Sequence, residues 1–299
     1  MNTVDEPRPA NTARTAQRER VVVGVQGDDA SLEALHWAAR HARGTGGEIE
    51  ALMAWELAEP PRHLTGDIQE TADAVISDLR WALETIVDRS EIAATPGVRV
   101  STTIVTAPAK VAMADAVDRA DLLVLGSAHH AAALAALSVS RQMAASASCP
   151  VALVPVLADG VASGVTEGDF LVVGMDGSPQ SFDAFAWATD EAARRRLPLR
   201  VVTVSPPAEA LDAITAAIAA RLRSRRPALP VDISLVTRAG DPGEVLLEQA
   251  RGAEALVLGQ HGSGTIRRRL PSLGSVSRWC VAHLVSPVVV VPRRPRARR

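Results

Sequence analysis

Val22-Val23-Gly24-Val25-Gln26-Gly27 recurs 150 positions later as Val172-Val173-Gly174-Met175-Asp176-Gly177. A Ser and a Trp follow each copy at the same spacing, Ser31 and Trp37 in the first and Ser181 and Trp187 in the second. A third match closes each copy: Cys149-Pro150-Val151-Ala152-Leu153-Val154-Pro155 against Ser286-Pro287-Val288-Val289-Val290-Val291-Pro292. Repetition on this scale means two tandem domains, not a solenoid of short units. Any functional residue of one copy can therefore be sought in the other.

Within each copy, short Val/Leu runs alternate with longer Ala-rich helical patterns. Continuous apolar runs of this length read as strands covered on both faces, the signature of a parallel sheet. The first half is expected to carry strands near 21–25, 48–54, 98–105, 121–125 and 151–155. The second carries them near 170–175, 199–204, 231–236, 255–259 and 287–291, with helices near 181–196, 208–223, 243–251 and 275–284. Phe182, Phe185, Ala186, Thr189 and Ala193 give the first of these helices one apolar face. In the first half, Ile68, Ala72, Val75, Leu79, Leu83 and Ile86 make a stripe along a longer second helix. Gly126 and Gly259 close the fourth strand of each copy but lie only 133 positions apart, so the first copy carries about 17 additional residues, assigned to that helix and its turns.

The fold class is α/β: two tandem doubly wound Rossmann-like domains, each a five-stranded parallel sheet in the order 3-2-1-4-5 with helices on both faces. The expected division is a disordered tail over 1–19, a first domain over 20–157, a linker over 158–168, a second domain over 169–292 and a basic tail over 293–299.

Composition narrows the chemistry. With 47% hydrophobic and only 3% aromatic residues, the cores must be built from Ala, Val and Leu. A net charge of −2 lacks the basic face that a nucleic-acid partner requires. Lys110 is the only lysine, which removes the phosphate-binding lysine of a P-loop. No apolar run approaches the roughly 18 residues of a membrane span, and the polar N-terminus is no signal peptide. A cytoplasmic protein without a membrane partner is expected. Cys149 and Cys280 occupy non-equivalent places in the repeats and read as buried free thiols. Adjacent His129 and His130, without a third ligand at suitable spacing, do not make a metal site. There is no serine elbow and no context for a Cys or His nucleophile, so no enzyme is expected.

In a doubly wound sheet a ligand sits beyond the carboxyl ends of the strands where their order reverses, here between the first and fourth strands. In the second half the first strand ends in Asp176-Gly177-Ser178-Pro179. A carboxylate there can accept from a ribose hydroxyl or an adenine amine, and Gly177 permits a sharp turn. These are also ordinary turn residues. The fourth strand ends in Leu258-Gly259-Gln260-His261-Gly262-Ser263-Gly264, and Gly274-Ser275-Val276-Ser277 opens the last helix. Clustered glycines leave backbone N–H groups open to an anion, and a helix N-terminus favours phosphate.

This arrangement resembles the universal stress protein family in tandem form, over nearly the whole chain outside its tails. The family signature is Gly-2x-Gly-9x-Gly-(Ser/Thr) after an Asp that closes the first strand. The resemblance implies that Asp176 and Val204 hold an adenosine, and that Gly259, Gly262, Gly274 and Ser275 hold the phosphates. Gly177, Gly264, Val276 and Ser277 lie in the same turns. It implies ATP or a related adenine nucleotide as ligand, with any Mg carried on the phosphates, and a regulator or sensor of the stress response. It further implies pairing through the last strands, as a homodimer or an intramolecular pseudo-dimer, and a regulatory protein partner.

The sequence departs from the signature at defined points. Eleven residues separate Gly262 from Gly274, where the family has nine; nine are recovered only by counting from Gly264. The enlarged loop holds Arg267-Arg268-Arg269 and Pro271. In the first half Gln26 replaces the Asp, Asp28-Asp29 replace Ser-Pro, His129 replaces the second Gly and Leu137 the Gly of the last helix. The first half is therefore expected to be a degenerate, structural copy. Two alternatives stand beside nucleotide binding: an interaction module that has lost its ligand, and a slow ATP-hydrolysing enzyme. The latter needs a second carboxylate beside Asp176.

Overall fold

A computed structural model describes residues 18–56, 68–127, 134–156, 170–224, 231–261 and 273–293, of which 68–74 and 134–138 are described as backbone only. The expected linker and most of both tails lie outside these residues. The first half runs β1 (Arg20–Val25), α1 (Asp29–Thr45), β2 (Glu48–Trp55), α2 (Ile68–Arg89), a 3-10 turn (Ile92–Ala94), β3 (Arg99–Thr106), α3 (Ala109–Val117), β4 (Leu122–Ser127), α4 (Leu134–Ser146) and β5 (Val151–Pro155). The second runs β6 (Leu171–Gly174), α5 (Pro179–Arg195), β7 (Leu199–Val204), α6 (Ala208–Ser224), β8 (Ile233–Arg238), α7 (Pro242–Gln249), β9 (Ala255–Gly259), α8 (Ser275–Ala282) and β10 (Val288–Val291).

The strands lie in the order β3-β2-β1-β4-β5-β10-β9-β6-β7-β8. Each half thus has the order 3-2-1-4-5, parallel throughout. The halves meet at an antiparallel pair of last strands, with Val288 opposite Leu153, Val289 opposite Ala152 and Val290 opposite Val151. Two edges that would otherwise be open are closed against each other within one chain. The result is a single sheet of ten strands.

Alternation along the strands feeds two cores. Val21, Val23, Leu171, Val173 and Val289 pack with residues of α1, α2, α5 and α6. Val22, Val172, Val288 and Val290 face α3, α4, α7 and α8 on the other side. Both sides of the sheet are covered, which is why the strands read as unbroken apolar runs.

The Ser of each repeat marker buttresses a helix start. Asp28 caps α1 by accepting from Ser31 N, and the Ser31 hydroxyl accepts from Gln26 N at 2.8 Å. Ser178 caps α5 by accepting from Ser181 N, behind Pro179 in the first turn. Two expectations are displaced. The apolar face of α5 is Ala184, Phe185, Ala188 and Ala192, with Ala186 and Ala193 only half-buried. Trp187 and Glu191 are buried as well, because α5 packs both on the sheet and on α1. The third strand of the second half begins at Ile233, not 231; it is an exposed edge, where burial imposes little pattern. In the first half α2 has 22 residues against 17 in α6, so the helix itself holds part of the extra length.

Candidate functional site

At the carboxyl ends of β6 and β9, where the strand order of the second half reverses, lies a cavity of about 440 Å³. Its floor is Gly174, Val202, Leu246 and Leu258, and Ile214 of α6 forms part of the wall. Asp176, Val204, Gly259, His261, Gly274, Ser275, Val276 and Ser277 line it. Gly177 is not in the lining; it turns the chain between β6 and α5 with φ of 80°, a conformation that favours glycine. Gly262 and Gly264, with Arg267, Arg268, Arg269 and Pro271, lie outside the described residues.

Asp176 is exposed, and its Oδ1 accepts from Ser178 N at 2.9 Å, which fixes the carboxylate in the turn. Val204 ends β7, half-buried beside Ser205, whose φ is 44°. On the opposite rim, Gly274 N donates to the Gln260 carbonyl at 2.9 Å and the Ser277 hydroxyl donates to the Gly259 carbonyl at 2.7 Å. These two bonds pin the start of α8 to the end of β9. Gly274, at the cap of α8, makes no side-chain hydrogen bond, whereas α1, α5 and α7 are capped by Asp28, Ser178 and Asp241. Among the described residues no side chain caps the first-turn N–H groups of α8, where Ser275, Val276 and Ser277 face the cavity. Burial lowers the pKa of His261, at the rim, below the ordinary imidazole value.

Gly259 has a role beyond exposing backbone. A Cβ there would stand 2.8 Å from the carbonyl carbon and oxygen of Gln180, in the first turn of α5. The equivalent Gly126 abuts Ala30 in the first turn of α1. Each glycine lets the first helix of its half close onto the fourth strand. Gly259→Val is expected to destabilise the protein by about 1–3 kcal/mol through overpacking against fixed backbone, read as a lowered melting temperature with or without added nucleotide. An unchanged melting temperature would contradict this packing role.

The corresponding crevice of the first half is smaller, about 290 Å³. Met53 and Met113 line it, and Gln26 stands where Asp176 does in the second half. The Asp28 carboxylate accepts from both the N–H and the hydroxyl of Ser31 as the cap of α1. His129 and His130 lie outside the described residues, as does the Leu137 side chain. Among the described residues, Asp176 is the only carboxylate lining the larger cavity, and no three His, Cys, Asp or Glu side chains converge as a metal site. Cys149 and Cys280 are free and buried, and burial pushes both thiols up to about 12, far from a nucleophilic thiolate. No described helix is long and apolar enough to cross a membrane. No motif singles out His261, although the residue lies inside the stretch that closes β9; Ile214 carries no signal beyond its place on an apolar helix face.

Fold and crevice together define a tandem, doubly wound α/β protein with a cavity at the switch point of its second half. The profile of the universal stress protein family matches residues 17–155 and 170–292. The chain belongs to that family. It is 32% identical over 196 residues to universal stress protein Rv2005c of Mycobacterium tuberculosis, a match covering 61% of this chain and 65% of the relative. It is 34% identical over 134 residues to universal stress protein Rv3134c of the same organism, covering 42% and 49%. The chain thus spans under two thirds of the length of these relatives. Among solved structures, a universal stress protein from Archaeoglobus fulgidus superposes with a TM-score of 0.70, covering 93% of this chain and all of the other at 18% identity.

Proposed function

We propose that the second half binds ATP or a related adenine nucleotide, and that the protein acts as a cytoplasmic, non-enzymatic sensor or regulator of the stress response. The observation that carries this reading is the uncapped start of α8 facing the same cavity as Asp176. An anion at those N–H groups and a ribose or adenine at the carboxylate are the two ends of one nucleotide. The cavity volume falls in the ordinary range for small-ligand sites, roughly 300–1,000 Å³. Val204 supplies an apolar contact for the base, and any Mg would arrive on the phosphates. Among the described residues a single carboxylate lines the crevice, which supplies no acid/base pair for hydrolysis. The ligand would act by favouring one conformation, which it can do only through differential affinity. The first half, with the smaller crevice, Gln26 and an engaged Asp28, serves as a structural partner. A regulatory protein would read the bound state.

Protein purified without added nucleotide is denatured and the released small molecules are identified by mass and stoichiometry. About one adenine nucleotide per chain is expected. Two per chain would overturn the assignment of the first half as a degenerate copy. An empty protein that also fails to bind added ATP would favour an interaction module.

A further inference from the structure

The last strands and first helices of the two halves meet about a pseudo-twofold axis, and the residues beside it are charged and buried. α1 and α5 are both 17 residues long and begin 150 positions apart, so His41 and Glu191 are equivalent residues of the two copies. They face each other: His41 Nδ1 lies 2.9 Å from Glu191 Oε1, with side-chain exposures of 0% and 1%. On its other side His41 Nε2 lies 3.1 Å from Glu19 Oε2. Glu191 Oε2 also takes Arg194 Nη2 at 2.6 Å. Burial opposes the charge on His41, but the Glu191 and Glu19 carboxylates outweigh it and hold the imidazolium.

The network continues asymmetrically. Glu254, at the start of β9, receives Arg195 Nη2 at 2.8 Å and Arg40 Nε at 3.6 Å, while its carbonyl accepts from Trp37 Nε1 at 3.1 Å. Arg195 reaches it across Gly44, where a Cβ would stand 2.6 Å from Arg195 Cγ. By the repeat offset, the second-half counterparts of Arg40 and Gly44 are Asp190 and Arg194. Two second halves paired in the same way would set Glu191 against Glu191 and Asp190 against Glu254, with Arg194 in the path of Arg195. Two first halves would set His41 against His41. Only one of each half sets opposite charges facing across the axis; in a same-half pair the facing residues are alike, and only Glu19 or Arg194 of the same half offsets them.

We propose that this network is a matching code which restricts pairing through β5 and β10 to one first half with one second half, so that the partner this surface fits is the complementary half and never a second copy of the same half. Like charges brought together without water are strongly unfavourable, and a buried polar group best serves partner choice rather than raw stability.

The test uses the whole chain with a protease site placed in 158–168. The folded protein is cut, unfolded in urea, returned by dilution and weighed by native mass spectrometry, where the two halves differ in mass. Complexes of one first and one second half are expected alone. A statistical mixture of about 1:2:1, or halves that return unpaired, would overturn the proposal. His41→Gln with Glu191→Gln removes both charges, and pairs of two first halves are then expected to appear, while Asp190, Arg194 and Glu254 still oppose pairs of two second halves; the absence of first-half pairs would overturn a code at position 41. In the uncut chain His41→Glu is expected to melt below that double variant, and a melting temperature equal or higher would overturn the like-charge argument.

Discussion

Replacing Glu191 by Ala is expected to lower the stability of the protein by about 3 kcal/mol, the lower end of what breaking a buried ion pair costs. The carboxylate is 1% exposed and answers three cations at once, His41 at 2.9 Å, Arg194 at 2.6 Å and Arg195 at 3.6 Å. Its removal leaves His41 stacked on Trp37, with ring centroids 5.4 Å apart, and only Glu19 to hold its charge. Burial by itself would raise the Glu191 carboxyl, but His41 first and then Arg194 and Arg195 draw it down to about 2. Thermal unfolding at neutral pH checks the effect. A fall in melting temperature of about 5 °C is expected, and a change of less than about 2 °C would remove the network from the account of interdomain stability.

The same groups fix how stability depends on pH. His41 rises from an ordinary 6.5 to about 9 despite burial, because Glu191 and Glu19 favour its charged form. A group raised on folding contributes fully below its unfolded value and loses that contribution as pH climbs through the folded value. Stability from His41 is therefore complete below 6.5 and lost as pH rises through about 9. Glu191 acts in the opposite sense: its contribution is present above 4.5 and lost as pH falls through about 2. The two shifts describe one interaction and are not added. Wild-type melting temperature should decline between pH 7 and 9, and Glu191→Ala should flatten that decline. The other charged groups around the pair are Glu19, Arg40, Arg194, Arg195 and Glu254. A wild-type profile flat across it would place His41 outside the stabilising network.

Where the sequence was informative follows from what kind of pattern carries each feature. Strand runs such as Val172–Val173 and Val288–Val291 are legible because burial on both faces leaves no freedom for polar residues. β8 was displaced because as an edge strand it alternates weakly and owes little to the core. The buried face of α5 departs from the expected stripe by a fraction of a turn, since a helix buried against both sheet and neighbour has no single stripe. The candidate site was legible where it consists of backbone: glycines, a Ser and a Pro mark Asp176 and the start of α8 directly. The glycine of the fourth strand looked like room for a phosphate, yet the backbone it admits most closely is that of Gln180. His41 was invisible as a paired group. One His on an amphipathic helix gains a partner only when two equivalent helices, 150 positions apart, are brought together by the pairing of β5 and β10. Repeat arithmetic alone aligned position 41 with 191, but not their contact.

Asp176→Ala is expected to weaken adenine-nucleotide binding about 10- to 100-fold, the loss of one hydrogen bond to a charged acceptor worth about 1.5–3 kcal/mol. The substitution must be separated from a local structural effect, because Asp176 Oδ1 also accepts from Ser178 N and so steadies the turn into α5. Asp176→Asn keeps an oxygen for that N–H and removes the charge; it should preserve the melting temperature while still weakening binding. Gln26 supplies the internal control, at the equivalent strand end of the smaller crevice. Gln26→Ala should leave affinity unchanged, measured by calorimetric titration of the same chain with ATP. Equal losses from the two substitutions would put ligand in both halves and contradict the reading of Gln26, Met53 and Met113 as a closed-down copy. Full binding by Asp176→Ala would separate the carboxylate from the ligand and leave the open turn of α8 as an anion site without a nucleoside end. Divergent effects at two residues that the repeat makes equivalent would show that the halves share a fold while only one retains the ligand chemistry.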